Sequence, residues 1–297
     1  MRGTSVICAV LLPVMAGYVF EVVRELDWGR GPGEVGLIEA EGQEPQGPGA
    51  VAVGPDYDIY ILDTVNRRVL RLDEDGKLRR SIPLPFPALS FCVDEGGKLY
   101  ALDPDRRLVA VCGQDGCREL SYTLPVDGTL PVTRILAYEG QVWLGTYRDV
   151  YPVQLLPKAA KLARGTEGIP GPSGRFYRVT PGEDEHTAYV EASEDGSPVL
   201  RLVVRSEEPL GTVEFLKEDE GGNMYIYSEG MRITGAGIEV RRHVLRYGPY
   251  GELLDRIDIP VGYTYCYGGD LDVDRKGNVY QLLTLKEGVR VVRWRLR

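Results

Sequence analysis

The side chains that most often serve as catalytic bases and metal ligands are scarce in this sequence. It contains two histidines, His186 and His243, in 297 residues. A zinc centre with three histidine ligands cannot be built from two, and each histidine stands beside charged residues near the start of a β-like run, as surface side chains do. The sequence has no G-x-S-x-G nucleophile elbow and no G-x-x-x-x-G-K-[S/T] phosphate loop. It therefore predicts no catalytic residue, no metal ligand and no cofactor.

The cysteines are the second group with a chemistry of their own. Cys112 and Cys117 flank the residues Gly-Gln-Asp-Gly, between the β-like runs VAVC and CREL. Cysteines that face each other across a tight hairpin come within disulfide distance, so this pair is predicted to form a disulfide, with two free thiols as the alternative. A disulfide is typical of an oxidising compartment. Cys92 and Cys266 are far apart in the sequence, and no pairing is assigned to them.

The first 16 residues, MRGTSVICAVLLPVMA, have the pattern of a secretory signal peptide. Arg2 supplies a positive start, an apolar stretch follows, and Val14-x-Ala16 suits a small-residue cleavage site before Gly17. The alternative is a buried strand or an uncleaved anchor, although this proline-interrupted stretch is short for a membrane span. We therefore expect an extracytoplasmic protein (secreted, periplasmic or on the cell surface) whose mature chain, residues 17–297, has no transmembrane span.

The charge and composition of the whole chain exclude several classes of protein. With 35 basic and 44 acidic residues the net charge is −9, and arginine is scattered along the chain, so nucleic acid is not expected as a partner. The 37 glycines and 20 prolines argue against a long helical bundle. A hydrophobic fraction of 43% is ordinary for a folded globular protein.

A loose internal repeat supplies the elements that must position any site. Each copy has an apolar run, a turn rich in Asp and Gly, and a second apolar run that carries an aromatic residue. Copies occur at residues 50–62, 89–102, 214–227 and 271–283, with degenerate copies at 135–145 and 177–192; the aromatics are Tyr60, Tyr100, Trp143, Tyr189, Tyr225 and Tyr280. Aspartate side chains bond the amides of such turns, and glycine accepts the positive φ that closes a hairpin.

A second predicted hairpin follows the first in several copies, at residues 68–84, 107–124 and 243–259. Each unit then holds four short strands, and such units recurring every 40–50 residues are typical of β-propeller blades. The predicted fold is all-β: a single six-bladed β-propeller of four-stranded antiparallel blades. The blades are expected at roughly residues 49–85, 89–125, 132–159, 174–207, 212–260 and 267–297 plus 18–27. Five or seven blades are the alternatives if the span 157–212 is divided differently.

The first copy resembles the NHL repeat of six-bladed propellers. In residues 47–78 the matching positions are Val51, Val53, Tyr60, Asp63, Asn66, Arg68 and Val69. The second copy keeps Tyr100, Asp103 and Arg106. The resemblance covers residues 19–297 and is strongest in the first, second and last units. It implies a ring of six blades.

The two ends of the chain are expected to share a blade. The last copy, residues 272–297, supplies three strands, and residues 18–26, YVFEVVREL, form an orphan strand followed by the run GRGPGEVG. In the NHL family a Gly-rich run of this kind commonly follows an outer strand and leads into the next blade. A blade built from both termini closes the ring and leaves only short, protected edges.

A metal-dependent hydrolase is the second interpretation of such a propeller. Propellers of the gluconolactonase type hold a divalent metal over the central channel with carboxylates and Asn amides. The aspartates that could lie near the ring centre are Asp63, Asp103, Asp270 and Asp272. For Asp63 and Asp103 a turn cap within the repeat is the better explanation. Asn223 and Asn278 are likewise expected as hairpin-turn residues.

Binding is predicted on the face that carries the connections between blades. Residues 228–242 are an insertion relative to the other copies, and VGYTYCYGGD at 261–270 holds three tyrosines. Exposed aromatic and arginine side chains are favoured at recognition surfaces, although alternate tyrosines can also pack on a channel wall. The predicted binding residues are Arg148, Met231, Arg232, Tyr263, Tyr265 and Tyr267.

The sequence therefore favours an exported NHL-like propeller that acts as a binding, sensor or scaffold module for a protein partner or a small ligand. The alternative is a metal-dependent propeller hydrolase of the lactonase type. Bound metal and chelator-sensitive lactone hydrolysis would favour the enzyme. A partner recovered without metal would favour the module.

Overall fold

A computed structural model describes residues 17–297 except positions 114, 124–130, 139, 147, 148, 158 and 236. The predicted signal peptide and Arg148 lie outside the described residues. Within this part of the chain every regular element is a β-strand. These described residues form no helix that is long and apolar enough to cross a membrane.

Twenty-five strands follow one another in the described residues. They are β1 Tyr18–Leu26, β2 Ala50–Val53, β3 Ile59–Asp63, β4 Arg68–Leu72, β5 Leu78–Pro83, β6 Ser90–Val93, β7 Leu99–Asp103, β8 Leu108–Gly113, β9 Gly116–Thr123, β10 Arg134–Tyr138, β11 Gln141–Gly145, β12 Asp149–Leu155, β13 Ala159–Leu162, β14 Thr166–Glu167, β15 Ile169–Pro170, β16 Phe176–Pro181, β17 Thr187–Glu194, β18 Ser197–Arg205, β19 Leu210–Glu218, β20 Met224–Thr234, β21 Gly237–Tyr247, β22 Leu253–Ile259, β23 Leu271–Val273, β24 Val279–Leu285 and β25 Gly288–Leu296.

The strands form antiparallel sheets that follow the chain. Four sheets have four strands each, in the orders β2-β3-β4-β5, β15-β16-β17-β18, β19-β20-β21-β22 and β23-β24-β25-β1. The fifth sheet has nine strands, in the order β10-β11-β12-β13-β9-β8-β7-β6, with β14 on the edge of β12. In it, two four-stranded units are joined by a parallel pairing of β13 with β9.

The first strands of several neighbouring four-stranded units lie against one another. The Val51 N–H of β2 donates to the carbonyl oxygen of Gly269, just before β23, at 3.1 Å. The Ile135 N–H of β10 donates to Ser90 Oγ of β6 at 3.3 Å. First strands therefore contact first strands along the series β10, β6, β2, β23 and β19.

Apolar side chains are buried between neighbouring sheets rather than in one central core. Both faces of each sheet are covered, so alternate residues of a strand pack on opposite neighbours. Five buried clusters in the described residues each draw on two adjacent units; examples from the two sides are Ile61 with Val291, Val69 with Phe91, Leu102 with Ile135, Val190 with Phe215, and Val244 with Val279. Between β11 and β16, the rings of Trp143 and Phe176 meet edge to face at 5.8 Å.

The turns between first and second strands share one geometry in five of the units. The N–H of the first turn residue donates to the carbonyl oxygen four positions later, in turns that begin at Gly54, Asp94, Gly171, Asp219 and Asp274. A buried tyrosine lies six positions after each of these starts: Tyr60, Tyr100, Tyr177, Tyr225 and Tyr280. The repeat is therefore a turn followed by a tyrosine on the second strand.

The fourth unit differs from the division predicted from the sequence. The sequence predicts Tyr189 as its aromatic and residue 174 as its start, but the sheet begins at Ile169 with β15, and Tyr189 lies on the third strand, β17. Tyr177 takes the repeat position. The turn GPSG lacks the aspartate of the other copies and β15 has only two residues, so the first hairpin has no apolar run to mark it.

Strand β1 completes the last sheet, as the orphan N-terminal strand predicts. It pairs with β25 from Tyr18 opposite Leu296 to Leu26 opposite Val289. Salt bridges between Glu25 and Arg290 and between Glu21 and Arg293 cross the same pair of strands. The first and last strands of the described chain are therefore held side by side by non-covalent contacts.

The predicted disulfide is present. Cys112 and Cys117 lie opposite each other in the β8–β9 hairpin, with their Cα atoms 4.0 Å apart. Cys92 and Cys266 are free thiols. Burial, with a smaller contribution from Asp270, raises the pKa of Cys266 to about 12, so this thiol stays protonated at neutral pH.

Candidate binding site

Two of the four aspartates considered from the sequence act within their own turns. Asp63 is fully buried and accepts hydrogen bonds from Asn66 Nδ2 and Arg68 Nε, both at 2.8 Å. Arg68 in turn donates to carbonyl oxygens of the glycine-rich segment that follows β1. Asp103 accepts from the N–H of Arg106 at 3.0 Å. The NHL-like residues of the first unit therefore hold a loop in place.

The other two aspartates form ion pairs with basic side chains. Asp272 accepts from Lys217 Nζ at 3.1 Å and from the Val53 N–H at 2.7 Å. Asp270 is paired with the Arg242 guanidinium at 2.6 Å. In the described residues no group of three or more His, Cys, Asp or Glu side chains could hold a metal ion. Each of these four carboxylates is therefore engaged in hydrogen bonds or ion pairs within the described residues.

The hairpin of β20 and β21 extends beyond the rest of its sheet. Pairing of β19 with β20 ends at Gly230, and pairing of β22 with β21 ends at Arg242. The four residue pairs from Met231–Val240 to Thr234–Gly237 continue as a two-stranded ribbon. At a rise of roughly 3.4 Å per residue, the ribbon extends about 13 Å.

This ribbon lies on the face that carries the connections between sheets. On that face Ser206 N–H donates to His186 O at 3.0 Å and Leu210 N–H to Glu185 O at 2.7 Å, so a second-to-third strand loop touches a connection. We call this the connection face. It carries the strand-joining loops 63–68, 103–107, 182–186 and 234–237 and the connections 84–89, 206–209 and 260–270.

One side of the ribbon is apolar. Residues two apart on a strand, and residues opposite each other in register, point to the same side of a sheet. That side of the ribbon carries Met231, Ile233, Ile238 and Val240. Ile233 is 86% exposed and Ile238 68% exposed, whereas Met231 lies over Gly211. The other side carries Arg232 opposite Glu239.

Arg242 anchors the base of the ribbon on its apolar side. Its guanidinium donates to the two carboxylate oxygens of Asp270 at 2.6 and 2.9 Å, to the Tyr227 hydroxyl at 2.7 Å and to Pro260 O at 3.1 Å. Burial acts to lower the pKa of Arg242, but the hydrogen bonds to Asp270 and Tyr227 outweigh it and raise that pKa. Gln281 Nε2 donates to the same carboxylate at 3.0 Å. The ribbon is thereby tied to the last sheet, and its apolar side faces the 260–270 connection.

The 260–270 connection adds aromatic surface beside the ribbon. Tyr265 is 67% exposed and Tyr267 66% exposed, and their rings meet edge to face at 5.0 Å. The Tyr263 hydroxyl donates to Glu39 at 2.5 Å. The residues between the three tyrosines are buried. Tyr265 and Tyr267 therefore point to solvent rather than packing on a channel wall.

Comparisons with known proteins identify the architecture. No protein-family model matches the sequence, and no curated protein sequence matches it. A gluconolactonase from Xanthomonas campestris superposes with a TM-score of 0.54 at 18% identity, over 94% of this chain and 90% of that one. Virginiamycin B lyase from Staphylococcus aureus gives 0.50 at 12% identity, over 94% and 100%. Hydrazine synthase from Kuenenia stuttgartiensis gives 0.52 at 13%, over 87% and 90%. The fold is of the β-propeller type.

The propeller brings together only part of the predicted binding surface. Met231 lies on the apolar side of the ribbon and Arg232 points to the opposite side, so the two do not form one patch. Arg148 lies outside the described residues. Sequence reasoning missed Ile233 and Ile238, although the alternation M-x-I before the turn TGAG and I-x-V after it is the signature of an amphipathic hairpin.

Neither histidine is part of the β20–β21 ribbon beyond Arg242 or of the 260–270 connection. His243 points to the side opposite Arg242, with Nδ1 2.9 Å from Asp258 and Nε2 accepting from Arg256 at 3.0 Å. Because arginine is always a donor, this geometry requires the neutral ring with the proton on Nδ1. Burial and the Arg256 charge lower the pKa of His243. His186 is half-buried beside Glu185 at the start of β17.

Proposed function

We propose that the protein is an exported propeller, six-bladed and NHL-like, that binds a protein partner on its connection face. The observation that carries this proposal is the apolar side of the β20–β21 ribbon, with Ile233 and Ile238 in solvent. A two-stranded hairpin without a packed face is marginally stable in water, and exposed apolar surface of this kind marks interaction sites. A partner that covers the two isoleucines would remove this surface from water.

The count of six blades follows from dividing the nine-stranded sheet where β9 meets β13. The two halves, β6–β9 and β10–β13, then each have four strands, like the other four sheets. The NHL-like assignment is supported by Asp63, Asn66 and Arg68, which form one hydrogen-bonded group in the first unit. Both assignments are part of the proposal.

Export is supported by the Cys112–Cys117 disulfide, which is compatible with an oxidising compartment. The N-terminal pattern, a basic residue followed by an apolar stretch and a small-residue cleavage site, points the same way. We therefore expect the partner in the extracytoplasmic space.

The partner is expected to present an apolar patch of its own. Interfaces concentrate their binding energy in a few large side chains at a desolvated centre, with polar groups around it. Here the centre is formed by Ile233 and Ile238, Tyr265 and Tyr267 supply aromatic surface beside it, and the Arg232–Glu239 side is polar. Because Arg242 ties the base of the ribbon to the last sheet, little conformational entropy is lost on binding.

The test is quantitative capture of partners from the extracytoplasmic fraction of the native source. Replacing Ile233 and Ile238 by serine should reduce capture of the specific partner at least about tenfold, because both side chains lie at the proposed centre. Tyr250→Ser is the matched control, since Tyr250 is 76% exposed on the opposite face of the ring. Both variants should keep the melting temperature of the parent. Equal capture by all three proteins would refute the proposed surface.

A metal-dependent hydrolase of the lactonase type is the second candidate, because a gluconolactonase is among the structures with the same fold. At 18% identity this likeness concerns the fold alone. Hydrolysis of aldonolactones by the purified protein, lost on chelation and restored by a divalent metal, would establish this function. The apolar ribbon variants should leave such an activity unchanged, so the two candidates are separable in one set of proteins.

A further inference from the structure

Gly17, the residue that follows the predicted cleavage site, rests against a buried carboxylate. Its N–H donates to Asp255 Oδ1 at 2.9 Å, and Asp255 is only 3% exposed. Its carbonyl oxygen accepts from the Arg297 N–H at 2.8 Å. Gly17 is therefore held on both sides by the folded domain, immediately before β1 begins.

The carboxylate of Asp255 lies close to the backbone of Gly17. A Cβ on Gly17 would lie 3.1 Å from Asp255 Oδ1 and 3.4 Å from Oδ2, so the two carboxylate oxygens face the backbone of this residue directly. The second oxygen of Asp255 accepts from Arg246 at 2.5 Å. The carboxylate thus has one oxygen on a guanidinium and the other on the Gly17 nitrogen.

We propose that hydrolysis of the Ala16–Gly17 peptide bond creates an α-ammonium group at Gly17 that forms an ion pair with Asp255. In this step, which a signal-peptidase-type endopeptidase catalyses, one water is consumed, Ala16 gains the carboxylate and Gly17 gains the amine, which is protonated at neutral pH. The inference rests on the export that is part of the proposed function. It adds that cleavage itself creates the α-ammonium group that holds the start of β1 against Asp255.

The groups around Gly17 are one carboxylate, one guanidinium and two phenols. Arg246 balances one charge of the site, and Asp255 lies between the guanidinium and the Gly17 nitrogen. Behind them, the Tyr18 hydroxyl donates to Gly277 O at 3.0 Å and the Tyr225 hydroxyl to Asp219 at 3.0 Å. Burial raises the pKa of both Tyr18 and Tyr225, so both phenols stay neutral in the range where an α-amine titrates.

The ion pair makes the stability of the ring depend on pH in one direction. An ammonium paired with a carboxylate titrates above its ordinary range of about 7.7–8.0, so the folded chain binds the proton more tightly than the unfolded chain. The added stability is complete below about pH 8 and is lost as the pH rises through the raised value. This added stability acts on β1, because Gly17 immediately precedes Tyr18, the first residue of that strand.

The experiment compares two chains that differ by one residue. One begins at Gly17, released by a protease that leaves glycine at the new terminus, and the other begins at Ala16. The second chain keeps the Gly17 N–H but moves the charge one residue outward. At pH 6.5 the Gly17 chain should melt about 2–4 °C higher, since this corresponds to roughly 1 kcal/mol in a protein of this size. At pH 10 the difference should disappear.

The Asp255→Asn substitution, made in both chains, completes a double-mutant cycle for the proposed ion pair. The variant lowers the stability of each chain by leaving Arg246 unpaired, but the difference between the Gly17 and Ala16 chains should then be absent at every pH. The α-amine of the Gly17 chain should also react with an acylating reagent at least several-fold more slowly than that of the Ala16 chain. Equal melting at pH 6.5 in the Asp255 background would overturn the ion pair.

The mass of the exported protein separates this inference from the export it rests on. A chain recovered outside the cytoplasm that begins at Gly17 supports both. An exported chain that begins elsewhere refutes the processing site and leaves export standing. A chain that stays in the cytoplasm with residues 1–16 attached refutes export and, with it, the proposed maturation.

Discussion

At the residue scale, the glycines of the repeat turns differ in how closely the adjacent sheet packs against them. Gly277 has a φ of +84°, and a Cβ there would lie 2.2 Å from the Tyr225 hydroxyl of the adjacent sheet. That hydroxyl cannot move freely, because it donates to Asp219 and packs against the Tyr18 hydroxyl at 3.4 Å. At the equivalent position of the second unit, Gly97 has a φ of +75° but no atom within 4 Å of a Cβ.

This pair of glycines gives a matched test of close approach. Gly97→Ala should cost about 1–2 kcal/mol, the strain of placing an alanine at positive φ. Gly277→Ala should cost roughly 3 kcal/mol or more, because the same strain is joined by overpacking against Tyr225. Chemical denaturation of the two variants measures the difference. Equal losses would mean that the Tyr225 hydroxyl is not held in place.

His243 makes a pH-dependent contribution that can be measured by itself. Burial and the Arg256 charge lower its pKa in the folded protein, whereas the unfolded chain takes up the proton near pH 6.5. The unfolded state therefore binds more protons, and stability falls as the pH drops below about 6.5. His243→Gln should remove this component, so its melting temperature should decline less between pH 7 and pH 5 than that of the parent. His186→Gln is the control.

At the scale of elements, the β8–β9 hairpin is closed by a covalent bond that spans few residues. Cys112 and Cys117 are five positions apart and directly opposite in register. In the loop-entropy model, a loop of this length contributes about 2 kcal/mol. The contribution is confined to the hairpin, since both cysteines belong to one sheet.

Reduction should therefore lower the stability of the parent by about 2 kcal/mol. The Cys112→Ala/Cys117→Ala variant should have the stability of the reduced parent and should not respond to a reducing agent. Cys92→Ala, which changes a free thiol, should respond to reduction as the parent does. Thermal melts with and without reductant check all three. A reductant effect that survives in the double variant would contradict the disulfide.

The elements that could be predicted from the sequence are those whose turns carry their own signal. Asp94, Asp219 and Asp274 each bond amides within their turns, and this local chemistry is visible in the sequence as Asp-x-x-Gly. The turn at Gly171 closes with the same backbone hydrogen bond but without an aspartate, so the fourth unit was predicted to start too late. The same backbone turn forms with or without an aspartate, and only the copies that have the aspartate can be recognised in the sequence.

The sequence predicts where the candidate site lies but not all of the residues that form it. An insertion at 228–242 and a run of tyrosines at 261–270 indicate a surface on the connection face. The role of Arg242 has no local signal, because its partner Asp270 is 28 residues away and the two meet only when two sheets pack. Ile233 and Ile238 escape prediction because an insertion alone does not indicate strands, whereas β20 and β21 stay paired through this one.

At the scale of the whole molecule, the ring depends on its first strand. Without β1, the β25 edge would lose eight paired positions, the ion pairs from Glu21 and Glu25, and the Tyr18 hydroxyl bond to Gly277 O. An open ring also exposes the apolar layer between the last sheet and its neighbour.

Deleting residues 17–27 should therefore lower the melting temperature by more than about 5 °C. A synthetic peptide of these residues, added in excess, should restore part of the loss, whereas a scrambled peptide should not. Tyr18→Phe, which removes one hydroxyl bond, should cost only about 1 kcal/mol. A deletion variant that melts within one or two degrees of the parent would refute closure by β1.

The parallel ladder between β9 and β13 joins the outer edges of the second and third units. Residues 121–123 pair there with residues 159–161, so two outer edges cover each other. Amides along this ladder exchange their hydrogens with solvent only after one outer strand detaches, and that event uncovers the neighbouring unit as well. In deuterated solvent these two units are expected to exchange as one slow cooperative block. The outer amides of β5 and β22, which belong to separate four-stranded sheets, should exchange earlier and independently of each other.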